Sequence, residues 1–211
     1  MLVMMTTALL SASAAVRPAP ISPAERARVL ATLPAEGEIA GADLNAGQRR
    51  KLAAVQRVLE VHGRDAVYVL KVIDVRGAFV GLHARAVVLI SRSALDLLDA
   101  GELQALVAHE IGHEYFWSEY FQARRDNDGP ALRRLELLSD GVAIVTLWRA
   151  GSDPAHLISA LEKVVRYNRE RFGAALNEDY HPPIGDRRTF ARRLADWLGP
   201  SEAVEVSIAR R

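Results

Sequence analysis

Gly101-Glu102-Leu103-Gln104-Ala105-Leu106-Val107-Ala108-His109-Glu110-Ile111-Gly112-His113-Glu114-Tyr115 is the stretch that decides how this chain folds. Residues four apart on a helix lie one turn above each other, so His109 and His113 can turn both imidazoles toward one ion. Glu110 projects beside that face, within reach of a metal-held water but not placed as a natural ligand. This is the H-E-x-x-H spacing of zinc hydrolases, in which the glutamate is the general base. Asp99 precedes the run as an N-cap, and Glu102 follows three residues later in capping-box position. Between Leu103 and Ala108 only Gln104 is polar, which predicts a buried helix. Two imidazoles and a carboxylate in such a helix need partners, and a metal ion satisfies both histidines at once.

The surroundings of that helix follow from turn residues and periodicity. Ala66–Val75, Ala78–His83 and Ala86–Ser91 are rich in β-branched residues and read as strands of a small sheet just ahead of it. Upstream, Ala24–Leu33 reads as a short helix and Ala46–Val61 as a longer one ending near Gly63. Ser93–Leu98 starts a helix that hands over to the H-E-x-x-H helix. Downstream, Gln122–Pro130 reads as a polar loop. Helices over Ala131–Ala150, Pro154–Phe172 and Arg187–Leu198 come next, the first capped by Gly151 and the second opening at Ser152 or Asp153. The fold class is α+β, mainly α: a zincin-like helical domain with a small sheet before the metal helix.

The first residues, MLVMMTTALLSASAA, combine a short apolar run with small residues in an A-x-A pattern, as a secretory signal peptide does, although the basic leading residues are missing. Residues 1–15 are therefore read as a signal and 16–45 as a linker and extension. Residues 46–200 are read as the main domain and 201–211 as a tail. On this reading the protein is exported to a periplasm or the exterior; if the run is instead an N-terminal tail, it is cytoplasmic. The run is too short to cross a bilayer, and no other stretch predicts an integral membrane segment.

Composition excludes several classes. The chain has no cysteine, which rules out disulfides, thiolate ligands and a cysteine nucleophile. A net charge of +1 over 211 residues gives no reason to expect a nucleic-acid partner.

Two histidines leave a catalytic zinc site incomplete, because such sites carry three protein ligands and a water. Glu136 lies on the next long helix, 23 residues beyond His113, and Asp140 sits one turn further along the same face. A carboxylate there can accept the free N–H of a ligand imidazole and fix its orientation. Tyr180-His181-Pro182-Pro183 is a stiff loop, and His181 held near a metal can bind the oxyanion of a tetrahedral intermediate. Arg187 can steady that loop or the same anion.

Taken in order, GAFVGLHARAVVLISRSALDLLDAGELQALVAHEIGHEYF, ELLSD and HPPIGDR resemble the M48 family of zinc metallopeptidases, relatives of the Ste24, HtpX and Oma1 proteins, over about Val67–Leu198. The resemblance implies a gluzincin with one zinc per chain. His109, His113 and Glu136 are then the ligands, Glu110 the base and Asp140 the carboxylate behind them, with His181 and Arg187 over the site. It implies a protein or peptide substrate and hydrolysis of the metalloendopeptidase type. The apolar helices of membrane-spanning members are missing, so the chain resembles a compact soluble member. An extended peptide is expected to add to the sheet edge near Ala86–Ser91. Two rivals remain. One is a non-cleaving, chaperone-like module whose zinc is closed off by His181; the other is a helical scaffold whose His and Glu are incidental.

Overall fold

The computed structural model describes residues 19–33, 37–173 and 180–199. The proposed signal, the C-terminal tail and most of the Gly173–Pro183 loop lie outside these residues.

Helix α1, Pro23–Thr32, starts at the Ser22 cap, and α2, Ala46–His62, starts at a capping box formed by Asn45 and Gln48. Gly63 ends α2 in the left-handed conformation at φ 61°, where a residue with a Cβ would be strained. Strands β1 (Val69–Ile73), β2 (Val80–His83) and β3 (Val87–Ser91) form a sheet in the order β1-β3-β2. β1 runs parallel to β3 and β2 antiparallel to it.

This order corrects the expectation for the substrate edge. β3 is bonded on both sides and nearly all buried, so the stretch Ala86–Ser91 offers no free edge. The edge toward the metal helix is β2. Strand order depends on which apolar segments meet after the chain has turned back, and three short runs of similar composition do not encode it.

The β2–β3 turn places two non-glycine residues at positive φ, Ala84 at 47° and Arg85 at 56°. Ala86 N–H closes it by donating to His83 C=O at 3.0 Å. Asn or Gly usually fills such positions. Here the turn is fastened from outside: Arg85 donates to Glu114 Oε1 at 3.0 Å.

Helix α3, Arg92–Leu97, is capped by the Ser91 hydroxyl, and a separate α4, Ala100–Tyr115, begins at the expected Asp99–Glu102 box. A further helix, α5 (Trp117–Arg125), occupies part of the stretch read as a polar loop. Its Ala123 packs into a small apolar cluster with Leu132 and Leu135, so tertiary contact overrides its polar composition. Helix α6 spans Gly129–Ala150 and α7 His156–Phe172, past the proline expected to open it. Helix α8, Ile184–Leu198, starts directly after Pro183.

The core lies where α2, α4, α6 and α7 meet the inner face of the sheet, and it includes Val58, Leu59, Ile90, Leu103, Ile111, Ile144, Leu147 and Leu157. Helix α4 runs through its middle, buried almost continuously from Glu102 to His109, as its apolar sequence requires. Among the described residues no helix is long and apolar enough to cross a membrane.

Candidate metal centre

Helices α4 and α6 come close together at Gly112. A Cβ built there would lie 2.8 Å from Ser139 Cα and 2.9 Å from Ser139 O, so only glycine lets the helices come this near. That approach carries Glu136, Ser139 and Asp140 up to the two histidines.

Glu136 Oε2 lies 3.3 Å from His109 Nε2, and its Oε1 lies 3.5 Å from His113 Nε2. A tetrahedral zinc with arms of about 2.0–2.1 Å has ligand–ligand edges of about 3.3–3.4 Å. Each separation is close to one such edge, Oε2 toward His109 and Oε1 toward His113. Glu136 is 3% exposed, and its Oε2 is a buried oxygen with no aligned hydrogen-bond donor. Such an orphan is costly unless a cation satisfies it. The residues present therefore fit the expected metal.

A second grouping must be weighed. Ligand atoms of His109, Glu110 and His113 also lie within 4.8 Å of one another. Glu110, however, is engaged elsewhere: its Oε2 accepts from Leu82 N–H on β2 at 3.1 Å. Glu136 has no such commitment on Oε2.

The far nitrogen of each imidazole meets an oxygen of α6. His109 Nδ1 lies 2.9 Å from Asp140 Oδ1, and His113 Nδ1 lies 3.2 Å from Ser139 Oγ. Supports of this kind hold the metal-facing nitrogen in place. Asp140 is itself fixed by a two-pronged contact: Arg187 Nε donates to its Oδ2 at 2.8 Å and Arg187 Nη2 to its Oδ1 at 2.6 Å. Arg187, 4% exposed, thus pairs with Asp140, and its Nη2 also lies 3.9 Å from Glu136 Oε2. His181 stands at the mouth, its side chain 43% exposed and its Nε2 3.8 Å from Glu136 Oε2. The structure brings His109, Glu110, His113, Glu136, Asp140, His181 and Arg187 into one neighbourhood.

The charges within this cluster are strongly displaced. Burial opposes protonation of His109, yet the Asp140 and Glu136 carboxylates push it up to about 10. Burial, then the charge on His109, drives His113 down to about 4. Glu110 keeps some access to the cavity, but the protein around it desolvates the carboxyl and pushes it up to about 7. Burial also works against the Glu136 carboxylate, but the three histidines facing it hold it well below the usual range.

Sequence reasoning gave no role to Gly112, Ser139, Tyr120 or Glu114. The Tyr120 ring meets the His113 ring edge-on with centroids 5.0 Å apart. Glu114, buried on the face of α4 that bears Glu110, accepts from Arg64 Nε at 3.0 Å, Tyr68 Oη at 2.6 Å and Arg85 Nη2 at 3.0 Å. A legible signal existed for Ser139 alone, which stands three residues after Glu136 and so shares its helix face.

With this geometry in hand, comparison with known proteins bears on the matched stretch. Residues 44–116 match the family model of Peptidase family M48. That stretch is similar to peptidase family M48. The M48 match begins earlier than the resemblance read from the motifs and ends just past His113. It includes α2, the sheet, both histidines and Glu110; Glu136, Asp140, His181 and Arg187 join them through the fold. No curated protein matches the chain.

A cavity of about 450 Å³ opens beside α4. His109 and Glu110 line it on one side, and Val80, Leu161, Val164 and His181 on the others.

Proposed function

We propose that this protein is a zinc-dependent metallopeptidase that hydrolyses internal peptide bonds, with His109, His113 and Glu136 as ligands and Glu110 as general base. The observation that supports the reading best is the pair of Glu136–imidazole separations, 3.3 and 3.5 Å, beside a glutamate that opens onto a cavity. Zinc held there supplies Lewis acidity, polarising the scissile carbonyl and lowering the pKa of water to about 7. Glu110 takes the proton from the attacking water and delivers it to the departing amine. Asp140 and Ser139 keep the two imidazoles turned inward, and Arg187 keeps Asp140 in place. His181, at the mouth, meets the negative charge that develops on the carbonyl oxygen. The outer edge of β2 receives the peptide by main-chain pairing. The domain that does this spans residues 46–200, and the first fifteen residues direct export.

The test is a peptide-library cleavage screen with zinc-loaded protein, the chelated protein and Glu110→Gln. Glu110→Gln is expected to keep its zinc while cleavage falls by at least about a hundredfold. Undiminished zinc-dependent cleavage by that variant removes the base assignment.

The position of His181 favours one other reading, in which its imidazole closes the fourth position and the zinc is structural. His181→Ala separates the two. The variant loses activity if His181 serves the oxyanion, whereas it loses zinc affinity if His181 is a ligand.

A further inference from the structure

The outward edge of β2 is short because its ends are already taken. In the antiparallel pairing with β3, Phe79, Gly81 and His83 direct N–H and C=O inward, as the 3.0 Å bond from Ser91 N–H to Phe79 C=O shows. Ala78, Val80 and Leu82 therefore direct theirs outward. Leu82 N–H goes to Glu110 at 3.1 Å. Ala78 is taken by Asn168 of α7: Oδ1 accepts from Ala78 N–H at 2.8 Å, and Nδ2 donates to Ala78 C=O at 2.9 Å. A carboxamide is the functional group of the peptide bond, so Asn168 stands where one residue of a neighbouring strand would stand. Both partners are enclosed, Asn168 at 6% exposure and Ala78 at 0%. Between the two ends Val80 faces the cavity, with Leu106, Leu161 and Val164 behind it.

We propose that Asn168 determines which polypeptides the enzyme accepts, by filling the pairing position at Ala78 and confining main-chain pairing to Val80 and the Leu82 C=O. A strand bonded to Val80 comes level with Ala78 two residues further on, about 7 Å away, and there it meets the Asn168 side chain. The substrates are therefore chain ends or flexible segments that leave the edge at this point, not long extended strands. The proposal rests on the peptidase reading. Asn168 touches no reacting atom; it sets specificity.

The zinc-loaded full chain and Asn168→Ala are compared on two peptide series built around one cleavable core. One series is extended a residue at a time toward the N-terminus, the other toward the C-terminus. For the unmodified protein, kcat/KM in one series stops rising once the peptide passes the residue opposite Val80. For Asn168→Ala it rises over two further residues by about tenfold, the net worth of a pair of main-chain hydrogen bonds. If Asn168 only ties α7 to β2, the substitution lowers Tm and leaves the plateau at the same length, which overturns the proposal. An unmodified protein that goes on gaining past that length overturns it too. Asn168→Ser, too short to serve both Ala78 groups, provides the same comparison if the alanine variant does not fold. Cleavage with an unmoved plateau defeats this proposal alone. Cleavage of neither series defeats the peptidase reading and this proposal with it.

Discussion

Asp140 has no exposed surface, yet it carries a charge between a guanidinium and an imidazole. Burial by itself would raise its pKa, but Arg187 and then His109 hold it below the usual carboxylate range. Replacing one oxygen with an amide leaves the shape and removes the charge that orients His109. Asp140→Asn is therefore expected to weaken zinc binding by about ten- to a hundredfold, measured by competition with a chromophoric chelator. Unchanged affinity would show that His109 is oriented without it. The sequence announced this residue through spacing, since Glu136 and Asp140 are one turn apart and must share a face. Arg187 was legible as a nearby cation but not as the anchor of Asp140. Which acceptor a buried arginine chooses depends on how α8 lies across α6, and no local pattern carries that.

Between elements, the α4–α6 crossing is set by Gly112. Gly112→Ala pushes a methyl group into the Ser139 backbone, where no flexible side-chain end can yield. The expected cost is about 1–3 kcal/mol of stability by thermal unfolding, together with weaker zinc binding, because the whole 136–140 turn is displaced. The same helix is fastened at its other end by Glu102, 1% exposed, which accepts from Asp99 N–H, Ser159 Oγ and Lys163 Nζ. Burial pushes the Glu102 carboxyl up, but these donors, Lys163 foremost, bring it below its ordinary 4.5. A group with a lowered folded pKa adds stability that is complete above the unfolded value and is lost as pH falls through the folded one. Glu102→Gln should therefore lower Tm at pH 7 and flatten the acid limb below about pH 4.5. A parallel Tm-against-pH curve would show that the carboxylate contributes no charge-dependent stability. Helix α4 could be read in advance because its cap, apolar run and motif agree. Helix α5 could not, because Trp117–Arg125 becomes helical by packing Ala123 onto α6 and not by its own pattern.

For the molecule as a whole, the unsatisfied carboxylate oxygen at the centre predicts strong coupling between metal and fold. A ligand that binds only the folded chain stabilises it by about 4 kcal/mol at a thousandfold excess over its Kd. Zinc should raise the Tm of chelator-treated protein, and chelator should reverse the gain. A Tm indifferent to both would favour the scaffold whose His and Glu are incidental. Helical content and the position of the sheet before α4 were readable from the chain. The strand order was not, and with it went the identity of the substrate-facing edge.

The hairpin turn at Ala84 and Arg85 has a practical meaning for anyone who wishes to reshape this molecule. Both side chains that hold the β2–β3 hairpin against α4, Glu110 at Leu82 and Glu114 at Arg85, come from one stripe of that helix. The wall of the groove and the histidines thus ride on a common rod, and their alignment has little tolerance to spare. Redesign is safest at the α7 positions that line the groove without bonding to α4 or β2, such as Leu161 and Val164. A loosened hairpin would spoil grip and turnover together.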